Sequence, residues 1–197
     1  MISIFERVFR LIRSFLAIEL PIMIAERLEK LQEDLKASNA DVRWVNANNI
    51  HLTLKFFRNI EELQIDSILQ SIEDPVQARQ PFWVSVRGMG AFPHPKNPRV
   101  IWVGLVEGKE VLIQFQNQLE ASLEKVGFQT EGRSFHPHLT LGRVRSSQGK
   151  GALAAKIEKY REEDVGTFQV ERVTLFQSDL KPSGPVYTPL KELPLGR

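Results

Sequence analysis

The sequence predicts an α+β fold: two pseudo-symmetric lobes, each a mostly antiparallel sheet with helices on its outer side, lining a central cleft. Three observations carry that expectation. Segments that alternate apolar and polar residues interleave with amphipathic segments of helical spacing along the whole chain. The tetrapeptide His-Leu-Thr-Leu occurs twice, at 51–54 and 138–141, with close to half the chain between the copies. No strand-to-helix junction carries the glycine-rich loop of a Rossmann or P-loop unit. The bilobal domain is expected over residues 13–197, with residues 1–12 as an N-terminal extension.

A chain of 197 residues, 42% apolar and 25% charged, is enough for one sizeable globular domain. Its formal net charge of +2 is compatible with a phosphate-bearing ligand but does not by itself point to one. The absence of cysteine excludes disulfides, thiolate zinc sites and cysteine nucleophiles. No apolar run approaches the ~18 residues of a membrane-spanning helix. Arg7, Arg10 and Arg13 interrupt the apolar N-terminal stretch, which lacks a small-residue cleavage site and does not read as a secretory signal. A cytoplasmic protein, monomeric and without a membrane partner, is the expectation.

Taken in order, residues 1–12 form a short basic amphipathic extension, expected as a poorly ordered or loosely docked terminus, with a membrane-surface or partner helix as the alternative. Residues 14–20 read as a first strand, stopped by Pro21. Ile24, Leu28, Leu31 and Leu35 mark a helix over 22–38. A short strand over 42–45 and an Asn-rich turn lead into the first His-Leu-Thr-Leu strand, expected to end at Phe57. Asn59 with Glu62 forms a capping signal for a helix to about Ile72. A strand over 81–87, a Gly/Pro-rich loop over 88–98 and an apolar strand over 99–106 follow. Leu112, Phe115, Leu119 and Leu123 share a face of a helix over 109–126, closed by Gly127. The second motif strand comes next, then a polar linker over 146–151 and a short helix over 152–160. One long alternating strand spans 166–176. A turn over 181–185 precedes a proline-interrupted edge strand over 187–195.

The motif itself is a chemical device. Strand side chains alternate between faces, so His51 and Thr53 share one face while Leu52 and Leu54 share the other; His138, Thr140, Leu139 and Leu141 repeat the pattern. Each copy anchors itself with two leucines and presents an imidazole and a hydroxyl. Two imidazoles with ordinary pKa near 6.5 can divide the roles of general acid and general base near neutral pH. Threonine hydroxyls suit the non-bridging oxygens of a phosphate, and arginine supplies a bidentate charge. Such a site favours in-line displacement at phosphorus without a metal or other cofactor, best on a strained cyclic phosphodiester.

The paired motifs resemble those of the 2H phosphoesterase superfamily. The flanks at residues 13–21, 43–45, 55–57, 90–93, 98–102 and 137–143 are similar to its LigT/ThpR branch, the RNA 2′,3′-cyclic phosphodiesterases also called 2′-5′ RNA ligases. The resemblance covers about residues 12–195. It implies a bilobal fold with the motif strands lining the cleft, and metal-independent hydrolysis of RNA 2′,3′-cyclic phosphate ends to 2′-phosphate. For some members it also implies reversible, ATP-independent formation of 2′-5′ linkages. By position, His51 becomes the proton donor to the departing 3′ oxygen and His138 the acceptor that activates water. The near-symmetry of such a site also permits the reverse assignment. Thr53, Thr140 and Arg143 become phosphate-binding residues. The RNA partner is left open among tRNA fragments, processing intermediates and small cyclic nucleotides.

Simple alternation turns Arg143 away from His138, so its role requires a bulge, for which Gly142 is the candidate. Without one, Lys55, on the face of His51, is the substitute. Lys55 and Phe57 are also candidate RNA contacts, Phe57 by stacking on a base or else as a core residue. His136 with His138 invites a zinc reading, but no further ligands stand at a recognisable spacing, and no metal site is expected. His94 reads as a solvated loop residue, the acidic clusters at 61–62 and 162–164 as cap and surface charge, and Trp44, Trp83 and Trp102 as core or cleft wall. The competing reading is an RNA- or nucleotide-binding module on the same fold with little catalysis; a histidine-based metallohydrolase is the third.

Overall fold

Two antiparallel sheets share one hydrophobic core in the computed structural model, which describes residues 10–182 and 184–196. The strands are β1 (Leu11–Glu19), β2 (Val42–Trp44), β3 (His51–Glu61), β4 (Phe82–His94), β5 (Asn97–Leu105), β6 (His138–Val144), β7 (Asp164–Val170), β8 (Arg172–Lys181) and β9 (Gly184–Pro194). The helices are α1 (Ile22–Lys36), α2 (Gln64–Gln77), α3 (Lys109–Lys125) and α4 (Lys150–Lys159). One sheet has the order β3-β1-β8-β9 and the other β2-β6-β5-β4-β7. The α+β expectation holds, with one motif strand in each sheet.

Three of the helices form where their apolar stripes predict, and α2 runs on to Gln77, past the expected end near Ile72, with Val76 buried. Ile24, Leu28, Leu31 and Leu35 of α1 are buried, as are Leu112, Phe115, Leu119 and Leu123 of α3. They pack on the same core as the motif leucines Leu52, Leu54, Leu139 and Leu141. Burial of each such leucine stabilises the fold by about 1.5–3 kcal/mol. That anchorage holds the opposite face of each motif strand toward the cleft.

The lobes do not coincide with the halves of the chain. β2 leaves the first half to pair with β6, and β8 and β9 return to pair beside β1. The expected single strand over 166–176 is two strands that change sheets at Glu171: β7 pairs with β4, and β8 pairs with β1. Residues 88–98 are not a loop but the outer arms of the β4–β5 hairpin, kinked by a register shift between Val86 and Met89. Asn59 caps no helix: β3 stays paired with β1 as far as Glu61, and α2 starts at Gln64. Leu11 and Ile12 belong to β1, and Ile12 is buried, so the ordered domain begins before residue 13. The rest of the expected extension, residues 1–9, lies outside the described residues. β9 is an edge strand, as its prolines predict. Among the described residues, no helix is long and apolar enough to cross a membrane.

Candidate active site

Each motif histidine is held by the same local device. Nδ1 of His51 lies 2.8 Å from the carbonyl oxygen of Asn49, and Nδ1 of His138 lies 2.6 Å from that of His136. A carbonyl oxygen only accepts, so Nδ1 carries the donated proton in both rings. The proton that comes and goes is therefore on Nε2, the nitrogen directed away from the strand's own backbone.

Aromatic rings flank both imidazoles. Phe15 stacks on His51 with centroids 4.7 Å apart, and Tyr187 meets it edge-on at 5.3 Å. Phe92 stands edge-on to His138 at 5.1 Å, with Trp102 at 6.5 Å. This apolar packing strips water from the rings. Burial pushes the His51 pKa below its ordinary value, partly opposed by the bond to Asn49. His138 is also pushed down, by burial first and then by the nearby positive charges of Arg133 and Arg143, against the bond to His136.

The two half-sites converge. β3 and β6 touch across the boundary between the sheets. Tyr187, against His51, also lies in the field of Arg143, whose charge acts on His138. Arg13 and Arg43 join Arg143 around the Tyr187 hydroxyl, whose pKa burial nevertheless raises. Arg43 and Arg143 are direct partners across β2 and β6. The cleft thus has a positively charged rim suited to a polyanion.

A β-bulge follows each motif at the same position. Thr53 pairs with Ala17 and Lys55 with Leu16, which leaves Leu54 as the extra residue. Thr140 pairs with Trp102 and Gly142 with Ile101, which leaves Leu141. The second bulge returns Arg143 to the side of His138 and leaves it exposed. Gly142 itself serves close packing: a Cβ there would come within 2.7 Å of Val42 and 3.0 Å of Trp44. Each bulged leucine carbonyl accepts a bond from a buried glutamine, Leu54 from Gln116 at 3.2 Å and Leu141 from Gln32 at 2.8 Å.

The first bulge removes two expected RNA contacts from the cleft. Lys55 is opposite Leu16 on the core side, 4% exposed, with Nζ 2.8 Å from Glu120 and 2.6 Å from the Gln129 carbonyl. Phe57 is 7% exposed and packs edge-on against Phe128 at 5.2 Å. Phe56 takes the place intended for Phe57: it pairs with Phe15, lies 5.9 Å from it and is 49% exposed. Thr53 and Thr140 are half-buried, each two residues beyond its histidine on the same face.

Sequence reasoning passed over Gln32, Gln116, Phe15 and Tyr187. The glutamines left a trace, since each interrupts an apolar helical stripe at a position the core would otherwise fill with an aliphatic residue. Phe15 and Tyr187 left none, because their strands reach the site only through the pairing order. His94 is exposed at the end of β4, where its Nδ1 accepts from the Lys96 amide at 3.1 Å. Trp83 is on the surface, not in the core or the cleft wall. No group of three or more His, Cys, Asp or Glu among the described residues is close enough to share a metal ion.

Comparisons with known proteins point to one family. The family model of the 2′-5′ RNA ligase superfamily matches residues 20–182. An RNA 2′,3′-cyclic phosphodiesterase of Methanothermobacter thermautotrophicus is 37% identical over 91% of this chain and 97% of its own length. One from Aquifex aeolicus is 33% identical over 88% of this chain and 90% of its own. The crystal structure of TT0787 of Thermus thermophilus superposes with a TM-score of 0.79 at 26% identity, covering 94% of this chain and 99% of that one. E. coli LigT complexed with 3′-AMP gives a TM-score of 0.73 at 26% identity, over 95% of this chain and 100% of that one.

Proposed function

The chain belongs to the 2′-5′ RNA ligase superfamily, and on that premise we propose that it is an RNA 2′,3′-cyclic phosphodiesterase that opens the cyclic ester to a 2′-phosphate by acid–base catalysis between His51 and His138. The observation that carries this reading is the doubled tether of Nδ1 to the carbonyl two residues upstream, which leaves two Nε2 atoms for proton transfer.

The neutral His138 takes a proton from water as the water oxygen attacks phosphorus. The P–O3′ bond breaks in line with the attack, and imidazolium His51 gives its Nε2 proton to O3′. Burial lowers the pKa of both rings, which suits His138 as the base, while the bound phosphate anion favours the imidazolium form that His51 needs as the acid. Thr53 and Thr140 donate hydroxyl hydrogen bonds to the non-bridging oxygens, and Arg143 balances the charge that gathers there in the transition state. The chain of bases 5′ to the reacting end lies along the positive rim, with Phe56 as a stacking surface. Both histidines and both threonines come from one polypeptide, so a monomer is competent.

The test is an end-group assay. Purified protein with excess EDTA is given a short RNA ending in 2′,3′-cyclic phosphate, and the product phosphate is located. Conversion to the 2′-phosphate is expected. A 3′-phosphate product would overturn O3′ as the leaving oxygen, and RNA binding without conversion would leave a binding module.

A further inference from the structure

Three arginines from three strands gather at one tyrosine, and hydrolysis uses only one of them. Arg43 and Arg143 stand directly opposite each other across β2 and β6. Arg13 comes from β1, in the other sheet. All three are exposed, and the charge of all three acts on the Tyr187 hydroxyl. Among the described residues, no carboxylate is within ion-pair distance of any of them. Like charges directly opposite each other on a sheet are destabilising. Unpaired arginines so placed fit anions held between the two sheets. Arg143 serves the reacting phosphate, which leaves Arg13 and Arg43 for another.

The pairing of β1 and β3 shows where that other anion lies. Residues paired across neighbouring strands share a face of the sheet. On the cleft face the pairs run Glu19 with His51, Ala17 with Thr53, and Phe15 with Phe56. Arg13 is the next residue of β1 on that face, ~6–7 Å beyond Phe15 along the strand. The register shift at this point adds a residue to β3 and leaves the alternation of β1 intact, with Ile12 and Ser14 buried on either side of Arg13. From the reacting centre outward, the face thus presents an imidazole and a hydroxyl, then two phenyl rings, then a guanidinium. Tyr187 meets Phe15 edge-on at 4.9 Å. Burial holds the Tyr187 pKa above its ordinary value, against the pull of the arginines, so the hydroxyl keeps its proton and can donate it in a hydrogen bond.

This order matches the order of groups at an RNA end. O3′ departs toward His51, so the ribose and base of the cyclic end lie on the His51 side, with the base at Phe56. The next negative charge along the chain is the phosphodiester on O5′ of that same nucleoside. We propose that Arg13, Arg43 and the Tyr187 hydroxyl bind this upstream phosphodiester, so that the preferred substrate is an RNA of two or more nucleotides and not a mononucleoside cyclic phosphate. The assignment rests on the phosphodiesterase reading above. Guanidinium forks match the non-bridging oxygens of a phosphodiester, and the phenolic hydroxyl adds a further donor. With one phosphate at Arg143 and the next at Arg43, the repulsion between the two arginines is relieved.

The full-length protein would be given three substrates: uridine 2′,3′-cyclic phosphate, a uridine dinucleotide with the same cyclic end, and that dinucleotide with a neutral methylphosphonate in place of its internal phosphodiester. Wild type is expected to show kcat/KM roughly 10- to 150-fold higher on the phosphodiester than on the methylphosphonate, the range for hydrogen bonds to a charged group. The mononucleoside, which has no upstream charge, is expected to fall with the methylphosphonate. Arg13→Gln and Arg43→Gln should each narrow the ratio between the two dinucleotides, and Tyr187→Phe should narrow it less. The cyclic end is common to both dinucleotides, so damage to the reacting centre or to folding cancels in the ratio. A wild-type ratio near one overturns the subsite without any variant, as does a mononucleoside as good as the phosphodiester dinucleotide. Variants that lose equally on both dinucleotides overturn it as well, by placing the arginines with the cyclic end. Absence of hydrolysis of all three substrates by wild type removes the phosphodiesterase reading and the subsite with it.

Discussion

The side-chain amide of Gln116 donates to the carbonyl oxygen of Leu54, 3.2 Å away, across the edge of the sheet that carries the first motif. β3 is an edge strand, so its outward carbonyls need partners from outside the ladder. Gln32 makes the matching bond to Leu141 and a further one to Val45, both at 2.8 Å. Two buried amides thus pin the two bulges that turn the strands directly after the histidine and threonine of each motif.

Replacing either glutamine by leucine should therefore cost activity out of proportion to stability. The loss of a buried donor is worth about 1–3 kcal/mol in folding free energy. Displacement of catalytic groups by around 1 Å is worth up to about 10²-fold in rate. Thermal melts alongside kcat for Gln116→Leu and Gln32→Leu check this. Variants with lowered melting temperature but unchanged kcat would show that the bulges do not aim the site.

Removal of either imidazole should lower turnover by about 10²–10⁴-fold. The pH profile carries more information. Burial depresses both histidines, so in the free enzyme both limbs of the kcat/KM bell should lie below the ordinary value of about 6.5. A bound phosphate anion favours the imidazolium forms, so the kcat bell should sit at higher pH than the kcat/KM bell. His138→Ala should lose the acidic limb and His51→Ala the alkaline one. The same shifts destabilise the fold as pH falls below about 6.5, because the unfolded chain takes up protons that the folded histidines refuse. Rate and melting profiles between pH 4 and 9 test both statements.

Lys55 should behave as an interior ion-pair partner and not as an RNA contact. Lys55→Met leaves Glu120 buried without its cation and should cost about 3–5 kcal/mol. The double variant Lys55→Met with Glu120→Leu should recover much of that loss. An RNA-contacting lysine would instead leave unfolding unchanged and weaken the salt dependence of KM. Denaturant unfolding of the two variants separates the cases.

Adjacent phenylalanines should give opposite phenotypes. Phe57→Ala opens a core cavity and should destabilise by about 3–5 kcal/mol. Phe56→Ala removes a half-exposed ring from the cleft and should raise KM for RNA by roughly 5- to 150-fold with little change in melting temperature. Paired melts and steady-state kinetics on one RNA decide it.

The bulges were nearly readable. Apolar residues fall at 52 and 54 and then at 57, and likewise at 139 and 141 and then at 144; a step of three in an alternating strand marks an inserted residue. In the second copy, Gly142 drew attention to it. In the first, Phe56 fills the alternating position with another apolar residue and hides the slip. The same signature marks the change of sheet at Glu171, where the apolar positions pass from 168 and 170 to 173 and 175.

By itself, then, the sequence determined the α+β class, the helices with their apolar stripes, the doubled His-x-Thr strands and the chemistry those side chains can perform. These depend on residue type and on spacing within one element, where local geometry dictates which side chains share a face. Only the tertiary structure decided which rings flank each imidazole, which arginines meet around Tyr187, and that Lys55 turns inward while Phe56 turns outward. Those outcomes depend on pairing between strands distant in the chain and on one-residue register shifts. A shift of one residue exchanges the two faces of a strand, and its position is set by the packing partners of the whole sheet.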